Sequence, residues 1–395
     1  MARPPKVAII GAGMGGLSAA RALSMRGFEV AVFDQAAELV EVGAGIQVSP
    51  NAVKVLRSLG CENDLQLYGF FPNAIVGRSW RTGKSVFRTP LRGACERIYG
   101  APYVHVHRGD LQKLLLQSVP ENVIHLSARC TGVRNERTAA IARFADGREI
   151  EADLIVGADG IRSIVRRDLF GDDAPRFTGN ICWRSVVPFE RPDFELVTPD
   201  TSIWFGPNGH VVTYYVKGGN AVNIVACLET RVWLEESWNL RSTKSELMAA
   251  YPGWHDKLQI LFQQADQVFK WGLFDRDPMA RWTIGRITVL GDAAHPMLPY
   301  LSQGAAMAME DGLVLAKVLS DTSEVEVALR CYEALRIPRT SRVQLASRAQ
   351  GRKNHLVSPW ARLYRDVGYR LSNLINPRGS GLKAGWVYEY DAAVT

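Results

Sequence analysis

The sequence lacks the features that mark membrane, disulfide-rich and disordered proteins. No stretch of its 395 residues approaches the ~18 uncharged apolar residues of a membrane-spanning helix, so we expect no membrane partner. Its six cysteines are scattered, without a CxxC pair or a Cys/His cluster. This argues against disulfides and bound metal, and favours a reducing cytoplasm. An apolar fraction of 47% with 22% charged residues excludes extended disorder.

The sequence also lacks long runs of one charge. Lys and Arg number 47 against 40 Asp and Glu, which gives a formal net charge of +7. The densest basic stretch, Arg336–Lys353, has near-helical spacing and predicts a solvated helix face rather than a nucleic-acid surface. We therefore expect no nucleic-acid partner. The modest excess of positive charge would suit small anions such as dinucleotides and carboxylates.

The first 35 residues predict a βαβ unit. Lys6–Ile10 and Glu29–Phe33 are short apolar strands, and Leu17–Arg26 between them is a helix that ends at a glycine. Continuous apolar runs at Leu154–Val156 and Ile287–Leu290 are typical of buried parallel strands. The pattern predicts an α/β fold with a doubly wound parallel sheet, as in a Rossmann domain.

The pattern changes between about residues 180 and 270. Short runs rich in β-branched and aromatic residues predict an inserted antiparallel sheet, with strands at Ile181–Pro188, Thr201–Trp204, Val211–Val216 and Ala221–Leu228. Helical patterns follow from Gln303 to about Asp321 and from Glu324 to Ser347. We expect the second helix to break or kink at Pro338.

The turn after the first strand fits GxGxxG, with Gly11, Gly13 and Gly16. The first glycine permits a tight turn, the second lets the backbone approach a pyrophosphate, and the third lets helix and strand pack closely. Asp34, at the end of the second strand, could accept hydrogen bonds from both ribose hydroxyls and would repel the 2′-phosphate of NADPH. A purely structural turn is the alternative, but this context predicts dinucleotide binding.

Two further segments place an aspartate directly after a predicted parallel strand. Asp159 lies in GADGIRS (157–163), and Asp292 lies in GDAAHP (291–296). Doubly wound sheets bind ligands at the carboxyl ends of their strands. Each aspartate could instead cap a helix or turn. The order of all three motifs along the chain favours one shared dinucleotide site.

Together GAGMGG, GADGIRS and GDAAHPMLPYLSQGAAMAMEDG (291–312) resemble the single-component FAD-dependent aromatic hydroxylases, the class A flavoprotein monooxygenases with the p-hydroxybenzoate hydroxylase fold. The resemblance spans about residues 6 to 340 and is nearest to the salicylate, 3-hydroxybenzoate and 6-hydroxynicotinate monooxygenases. It implies an FAD-binding domain in three parts (1–72, 101–179 and 273–340). A substrate domain (73–100 and 180–272) would be inserted in it, and a C-terminal helical segment (341–395) would follow.

The resemblance implies which residues contact the cofactor. Gly11, Gly13, Gly16 and Asp34 would hold the ADP half of FAD, although the family usually has glutamate at the position of Asp34. Asp159 would serve both FAD and NAD(P)H, and Asp292 would bind the pyrophosphate and ribityl chain.

Three more segments would lie beside the flavin ring in this family. Arg108 matches an arginine near the flavin, and a surface arginine before a helix capped by Asp110 is the alternative. The loop 43–47, which ends at Gln47, would pass the isoalloxazine ring. The helix start at Gly304 and Ala305 would direct backbone N–H groups to the N1–C2=O edge of the flavin and stabilise the reduced anion.

The implied reaction is aromatic hydroxylation. NADH or NADPH would reduce FAD, dioxygen would add at the flavin C4a, and the hydroperoxide would hydroxylate an electron-rich ring. There is no second GxGxxG unit for the nicotinamide cofactor, so its binding would be transient. A base must take the proton of a ring hydroxyl, and histidine or a tyrosine relay suits that step near neutral pH.

His210 and Tyr214 are the candidates for this step. They are four residues apart on the predicted strand Val211–Val216 or its edge, so both side chains share one face. They match a histidine and a tyrosine that line the substrate site of 6-hydroxynicotinate 3-monooxygenases and 3-hydroxybenzoate 6-hydroxylases. A loop histidine and a core tyrosine are the structural alternatives. Pro299 and Tyr300 would overhang the same pocket.

The sequence gives mixed signals about the substrate. The ending WVYEYD (386–391) resembles that of the 6-hydroxynicotinate enzymes, which carry histidine where this chain has Gln47 and Tyr300. Gln47 is instead similar to the salicylate and 3-hydroxybenzoate hydroxylases. We expect a small hydroxylated aromatic or heteroaromatic carboxylate, and a monomer or homodimer. An FAD-dependent epoxidase or hydroxylase of a larger natural product, and a non-catalytic or reductase-type FAD protein, are the alternatives.

Overall fold

The computed structural model describes residues 4–39, 44–230, 240–375 and 384–395. Its strands in chain order are β1 Lys6–Ile10, β2 Glu29–Phe33, β3 Gly45–Val48, β4 Ala74–Ser79, β5 Ser85–Pro90, β6 Val104–His107, β7 Ile124–His125, β8 Cys130–Asn135, β9 Ala140–Phe144, β10 Glu149–Ala152, β11 Leu154–Gly157, β12 Arg176–Pro188, β13 Thr201–Gly206, β14 Gly209–Val216, β15 Ala221–Glu229, β16 Leu240–Ser242, β17 Val268–Asp275, β18 Thr283–Ile284 and β19 Ile287–Val289. Its α-helices are α1 Met14–Ser24, α2 Pro50–Ser58, α3 Glu62–Tyr68, α4 Ala94–Tyr99, α5 Arg108–Gln117, α6 Ile164–Phe170, α7 Lys244–Ala250, α8 Asp256–Gln263, α9 Gly304–Asp321, α10 Val325–Asn354, α11 Pro359–Ile375 and α12 Gly385–Tyr388.

A six-stranded sheet forms the first layer, with the order β18-β19-β11-β1-β2-β7. Strand β1 pairs in parallel with β2 and β11, and β11 pairs in parallel with β19. Strands β11 and β19 are fully buried, and β1 and β2 are apolar and largely buried after their first residues, Lys6 and Glu29, as expected for a sheet covered on both faces. Helices α1 and α9 pack against each other closely, since a Cβ on Gly312 would lie 2.6 Å from the backbone nitrogen of Ala19. The predicted parallel α/β sheet is confirmed.

A second sheet has eight strands in the order β16-β17-β12-β15-β14-β13-β4-β5. All its pairs are antiparallel except β13 with β4, which are parallel. The predicted inserted sheet is therefore present but mixed, because residues 74–90 add two strands at its edge. The domain boundaries predicted from the sequence stay a prediction.

The two faces of the eight-stranded sheet have different neighbours. On one face Val211 and Tyr215 of β14 join an apolar cluster with residues of α7 and α8. On the other face Val212 and Tyr214 lie in clusters without those helices, and the ring of His210 lies next to Tyr300. We call this second face the pocket face.

Helix α10 corrects two expectations about the C-terminal half. The helix runs continuously from Val325 to Asn354, so the break expected at Pro338 is wrong. Arg336 is fully buried and paired with acidic residues, and Arg348 is ion-paired with Asp275. A solvated basic face therefore describes only part of this stretch: Arg342, Arg352 and Lys353 are exposed, whereas Arg336, Arg339 and Arg348 are paired with carboxylates.

Two classes of site are not found in the described residues. No described helix is both long and apolar enough to cross a membrane. The described residues also contain no group of three or more His, Cys, Asp or Glu side chains arranged to hold a metal ion.

Candidate active site

The glycine-rich turn between β1 and α1 contains two glycines that the fold requires and one that leaves open space. Gly11 has φ +109°, and a Cβ there would overlap the carbonyl oxygen of Ala158. A Cβ on Gly16 would overlap the carbonyl oxygen of Gly11. In contrast, no atom lies within 4 Å of the position that a Cβ on Gly13 would take. The space in front of Gly13 is where a pyrophosphate would approach the N-terminus of α1.

Asp34 fixes this turn from the end of β2. Its carboxylate accepts hydrogen bonds from the backbone N–H of Ala12 at 2.7 Å and of Ala36 at 2.9 Å. Each carboxylate oxygen keeps a further lone pair for another donor. The predicted contact with ribose hydroxyls remains compatible with this geometry and stays a prediction.

Asp159 and Asp292 lie in different surroundings. The Asp159 carboxylate accepts hydrogen bonds from the Ser163 hydroxyl at 2.5 Å and the Ile164 N–H at 2.7 Å, at the start of α6. Burial raises the pKa of Asp159 despite these bonds. Asp159 is therefore a helix cap, the alternative considered above, and its contact with FAD or NAD(P)H stays a prediction.

The side chain of Asp292 is open to solvent, although protein surrounds it on most sides. Withdrawal from bulk water raises the pKa of Asp292, while the nearby His295 and Arg108 lower it. Arg108, the first residue of α5, thus lies within electrostatic range of Asp292. An accessible carboxylate this deep in the molecule faces a cleft.

Helix α9 begins at Gly304 with its first backbone N–H groups free of side-chain caps. The N-cap residue, Gln303, uses its amide elsewhere, donating to the Ser49 hydroxyl at 2.9 Å and accepting from Asn51 at 3.0 Å. A Cβ on Gly304 would have one neighbour, Met297, at 3.8 Å. The helix start at Gly304 and Ala305 therefore faces open space, as a site for the flavin edge requires.

A buried ion cluster supports the start of α9, and we call it the Arg336 cluster. Arg336 donates to Asp311 at 2.7 Å and to Glu310 at 2.8 Å. His295 contacts the second oxygen of Asp311 at 2.5 Å, and that oxygen also accepts the Gly291 N–H. The cluster joins the loop that carries Asp292 to α9, with both carboxylates and Arg336 fully buried.

His210 is buried on the pocket face within a group of three rings. Its Nδ1 lies 2.8 Å from Nε2 of His355, and its ring centroid is 5.5 Å from that of Tyr300. The other ring nitrogen of His355 lies 3.6 Å from a carboxylate oxygen of the half-exposed Glu229. Burial, and to a smaller extent the neighbouring His355 and Arg365, lowers the pKa of His210 well below 6.5. His210 is therefore neutral at pH 7 and able to accept a proton.

Tyr214 lies on the same face, beside Gln47 of β3. Tyr103 donates to Gln47 Oε1 at 2.6 Å, and the Gln47 side chain lies close enough to Tyr214 to lower its pKa, against the larger effect of burial. The Tyr214 hydroxyl can both donate and accept a hydrogen bond toward a ligand. The ring of Tyr103 also packs edge-on against that of Tyr388 in the WVYEYD segment, with the centroids 5.9 Å apart. The C-terminal segment thus helps to orient Gln47.

Strand β3 and the segment 298–300 border the pocket face. The Gly45 N–H donates to Asn223 Oδ1 at 2.6 Å, and a Cβ on Gly45 would lie 2.8 Å from the Tyr214 ring. Leu298 packs with Cys182 and Cys227 of the sheet, and Pro299 and Tyr300 follow it. The overhang expected of Pro299 and Tyr300 agrees with this position. Gly43 of the predicted flavin loop lies outside the described residues.

Three buried polar atoms around the pocket face have no hydrogen-bond partner in the described part of the chain. They are the Tyr300 hydroxyl, Nδ2 of Asn223 and Nε of Arg184. Buried polar groups in folded proteins are nearly always hydrogen-bonded, so these three atoms on one face of the sheet would suit polar groups of a ligand.

The structure brings the predicted residues into two groups and adds others. Asp292 and Arg108 lie near each other, and His210 and Tyr214 share the pocket face with Tyr300 alongside. The sequence analysis missed His355 and Tyr103, which are remote in the chain, and Arg184. The sequence did contain a signal for Arg184, because it is a charged residue within an otherwise apolar predicted strand.

Comparisons with known proteins agree with this arrangement. The profile of the "FAD binding domain" family matches residues 5–346. The 3-amino-4-hydroxybenzoate 2-monooxygenase of Streptomyces platensis is 39% identical over 390 residues, which cover 98% of this chain and 97% of that protein. The 6-hydroxynicotinate 3-monooxygenase of Pseudomonas fluorescens is 38% identical over 352 residues, covering 88% and 91%.

Solved structures lead to the same family. Klebsiella pneumoniae HpxO, crystallised with FAD and uric acid, superposes with a TM-score of 0.87 at 27% identity, covering 97% of this chain and 98% of that one. A salicylate hydroxylase substrate complex gives a TM-score of 0.83 at 25% identity, covering 99% and 97%. The resemblance found in the sequence is confirmed, with FAD as the cofactor. The chain belongs to the FAD-binding-domain family of flavoprotein aromatic monooxygenases, with the p-hydroxybenzoate hydroxylase fold.

Proposed function

We propose that this chain hydroxylates a single aromatic or heteroaromatic ring that carries both a hydroxyl and a carboxylate, with NAD(P)H and dioxygen as co-substrates. The observation that carries the proposal is the pocket face, to which the contacting rings of His210 and Tyr300 and, further along the same strand, Tyr214 contribute. The relatives named for 3-amino-4-hydroxybenzoate, 6-hydroxynicotinate and 3-hydroxybenzoate all act on one small ring with these two groups.

The residues present fit FAD. Open space at Gly13 and Gly304 would admit the pyrophosphate and the flavin edge, and the accessible carboxylate of Asp292 would meet the ribityl chain. Asp34 and Arg108 would complete the contacts. The chemistry supplied by bound FAD is reduction by NAD(P)H and activation of dioxygen. The oxygen-transfer route implied by the resemblance stays a prediction.

Replacing Gly13 by alanine tests the cofactor site. The added methyl meets no atom of the protein, so the fold should be unchanged, whereas it would fill the space of the pyrophosphate. We expect the affinity for FAD, measured by titrating the apoprotein, to fall about 10- to 100-fold. Gly368→Ala is the matched control, because that glycine also has no neighbour within 4 Å and lies on exposed α11. Equal FAD affinities of the two variants would contradict this placement.

His210 would take the proton of the ring hydroxyl. A deprotonated ring oxygen raises the electron density of the ring, which favours attack by an electrophilic oxygen. The contact of His210 with His355, and of His355 with Glu229, provides a route for that proton toward solvent. The half-exposed Glu229 would release it at the surface.

Tyr214 would hold the resulting ring oxygen. The Tyr214 hydroxyl would donate its proton in a hydrogen bond to this negatively charged oxygen. Burial raises the pKa of Tyr214, so its hydroxyl stays protonated at neutral pH and can serve as a hydrogen-bond donor. Strand β3 and the segment 298–300 would restrict water around the ring.

The proposal is tested by NADH oxidation and product analysis with the purified FAD enzyme. We expect at least one of 3-amino-4-hydroxybenzoate, 6-hydroxynicotinate and 3-hydroxybenzoate to accelerate flavin reduction and to yield one hydroxylated product per NADH consumed. Hydrogen peroxide as the sole product with every ring would reject the proposal and favour a reductase-type protein. Turnover of large neutral rings alone would favour the natural-product alternative.

Some expectations from the sequence stay predictions. They are the preference between NADH and NADPH, the monomeric or homodimeric state, the cytoplasmic location and the absence of a nucleic-acid partner.

A further inference from the structure

Arg184 is a cation on the pocket face without a counter-charge. It lies on β12, and its register partner on β15 is Val225, which pairs in turn with Val212 of β14. Val212 stands between His210 and Tyr214 on the same face. We infer that Arg184 binds the carboxylate of the aromatic substrate, which deepens the proposed function and rests on it.

The charge of Arg184 lacks compensation in the described structure. Its Nε is buried and makes no hydrogen bond, and no described carboxylate lies within ion-pair distance of its guanidinium. The thiol of Cys182, two residues away on the same face, is within its reach but is only a weak acceptor. Arg184 is partly exposed, and a carboxylate bound beside it would give this half-buried cation the charged partner that it lacks.

The guanidinium is held in one orientation. It lies over the ring of Trp271 on the neighbouring strand β17, 4.8 Å from the ring centroid. Stacking uses the flat face of the group and leaves its edge for hydrogen bonds. The two Nη groups extend beyond the buried Nε, and their N–H donors form a fork that can bind both oxygens of one carboxylate.

The position suits a substrate of one ring. Arg184 and Val212 are two strands apart, about 10 Å across the sheet, which an arginine side chain and one benzoate ring together bridge. Arg184 also lowers the pKa of Tyr214, against the larger effect of burial, so the two side chains share one electrostatic environment. With the carboxylate at Arg184, the ring hydroxyl would point toward Tyr214 and His210.

Arg78 provides a matched control on the same sheet. It also stacks on a tryptophan, Trp204, at 5.6 Å, but it belongs to the opposite face and its donors are used by Ser202 and Thr198. Arg184→Met and Arg78→Met therefore remove the same charge from the two faces of one sheet.

The test measures dissociation constants of three carboxylates and their matched amides, using the FAD enzyme and its absorbance change. The carboxylates are 3-amino-4-hydroxybenzoate, 6-hydroxynicotinate and 3-hydroxybenzoate. For at least one pair, the unaltered enzyme should bind the carboxylate more tightly than its amide, by about 10- to 100-fold. Arg184→Met should reduce this preference to less than about threefold without weakening amide binding, Arg184→Lys should restore part of it, and Arg78→Met should keep it.

Thermal unfolding separates binding from a structural effect. Without ligand, Arg184→Met should melt no lower than the unaltered protein, since it removes an unpaired charge, and a carboxylate should no longer raise its melting temperature. An Arg184→Met enzyme that keeps the carboxylate preference, or an unaltered enzyme without any preference, would overturn the inference. If the unaltered enzyme hydroxylates neutral rings alone, the monooxygenase activity stands and the assignment of Arg184 fails.

Discussion

Replacing His210 by asparagine should lower the rate of ring hydroxylation about 10²- to 10⁴-fold, the usual contribution of a general base. His210 is buried, is hydrogen-bonded to His355 and is neutral at pH 7 because its pKa is lowered. Asparagine keeps a polar side chain of similar size but cannot accept the proton of the ring hydroxyl. Product formation at saturating substrate measures the change, and flavin absorbance shows that FAD remains bound.

His255→Asn is the control for this substitution. His255 precedes α8, and its ring, 5.4 Å from that of Trp204, lies on the opposite side of the eight-stranded sheet. Asparagine can take over its capping bond to the Lys257 N–H, so activity and stability should change little. Equal hydroxylation rates of the two variants would show that His210 is not the base.

The pH dependence gives an independent check. Because the pKa of His210 is lowered below 6.5, the unaltered enzyme should keep its neutral base at pH 6.5 and lose kcat only at lower pH. His355→Gln removes one of the neighbouring groups that lower this pKa. The acidic limb of kcat should then move to higher pH. An unmoved limb in that variant would mean that another group controls the rate.

Replacing Arg336 by methionine should have the largest effect on stability, about 3 to 5 kcal/mol, because it leaves two buried carboxylates with too few cations. Glu310 would still be paired with Arg339, and Asp311 would still contact His295. We therefore expect a loss of about 3 kcal/mol. Chemical unfolding followed by tryptophan fluorescence measures it. The loss would be a large part of the total free energy of unfolding of a typical domain.

Arg342→Met is the matched control on the same helix. Arg342 is exposed and stacks on Trp386, with its guanidinium 3.8 Å from the ring centroid. Its loss should cost about 1 kcal/mol or less, the value of an exposed cation–π pair. A similar loss in both variants would contradict the importance of the Arg336 cluster. Arg336→Lys keeps the charge but loses the forked donors, so its loss of unfolding free energy should lie between those of Arg336→Met and Arg342→Met.

Local patterns in the sequence predicted the elements that hold the cofactor. The strand β1, the GxGxxG turn and the start of α1 are set by neighbouring residues, and apolar runs predicted β11 and β19. Helical spacing also predicted most of α10, although not its continuation through Pro338 to Asn354. Spacing states which residues share a helix face but not what packs against that face, so the burial of Arg336 could not be predicted.

The substrate side of the site depended more on contacts between distant residues. His210 and Tyr214 could be placed on one face because a strand alternates with a period of two. The contact of His210 with His355 joins β14 to the segment after α10, and no local pattern marks such a pair. Likewise Tyr103 orients Gln47 through contacts with Gln47 and Tyr388, which are distant from it in the sequence.

The strand order of the six-stranded sheet has a consequence for synthesis on the ribosome. Strand β1 cannot pair with β11 until Leu154–Gly157 has been synthesised, and β11 cannot pair with β19 until Ile287–Val289 has been synthesised. The edge that carries Asp292 and the start of α9 therefore cannot form until more than three quarters of the chain has been made. In the cell, FAD should be acquired late in translation or after release, when the eight-stranded sheet has already emerged.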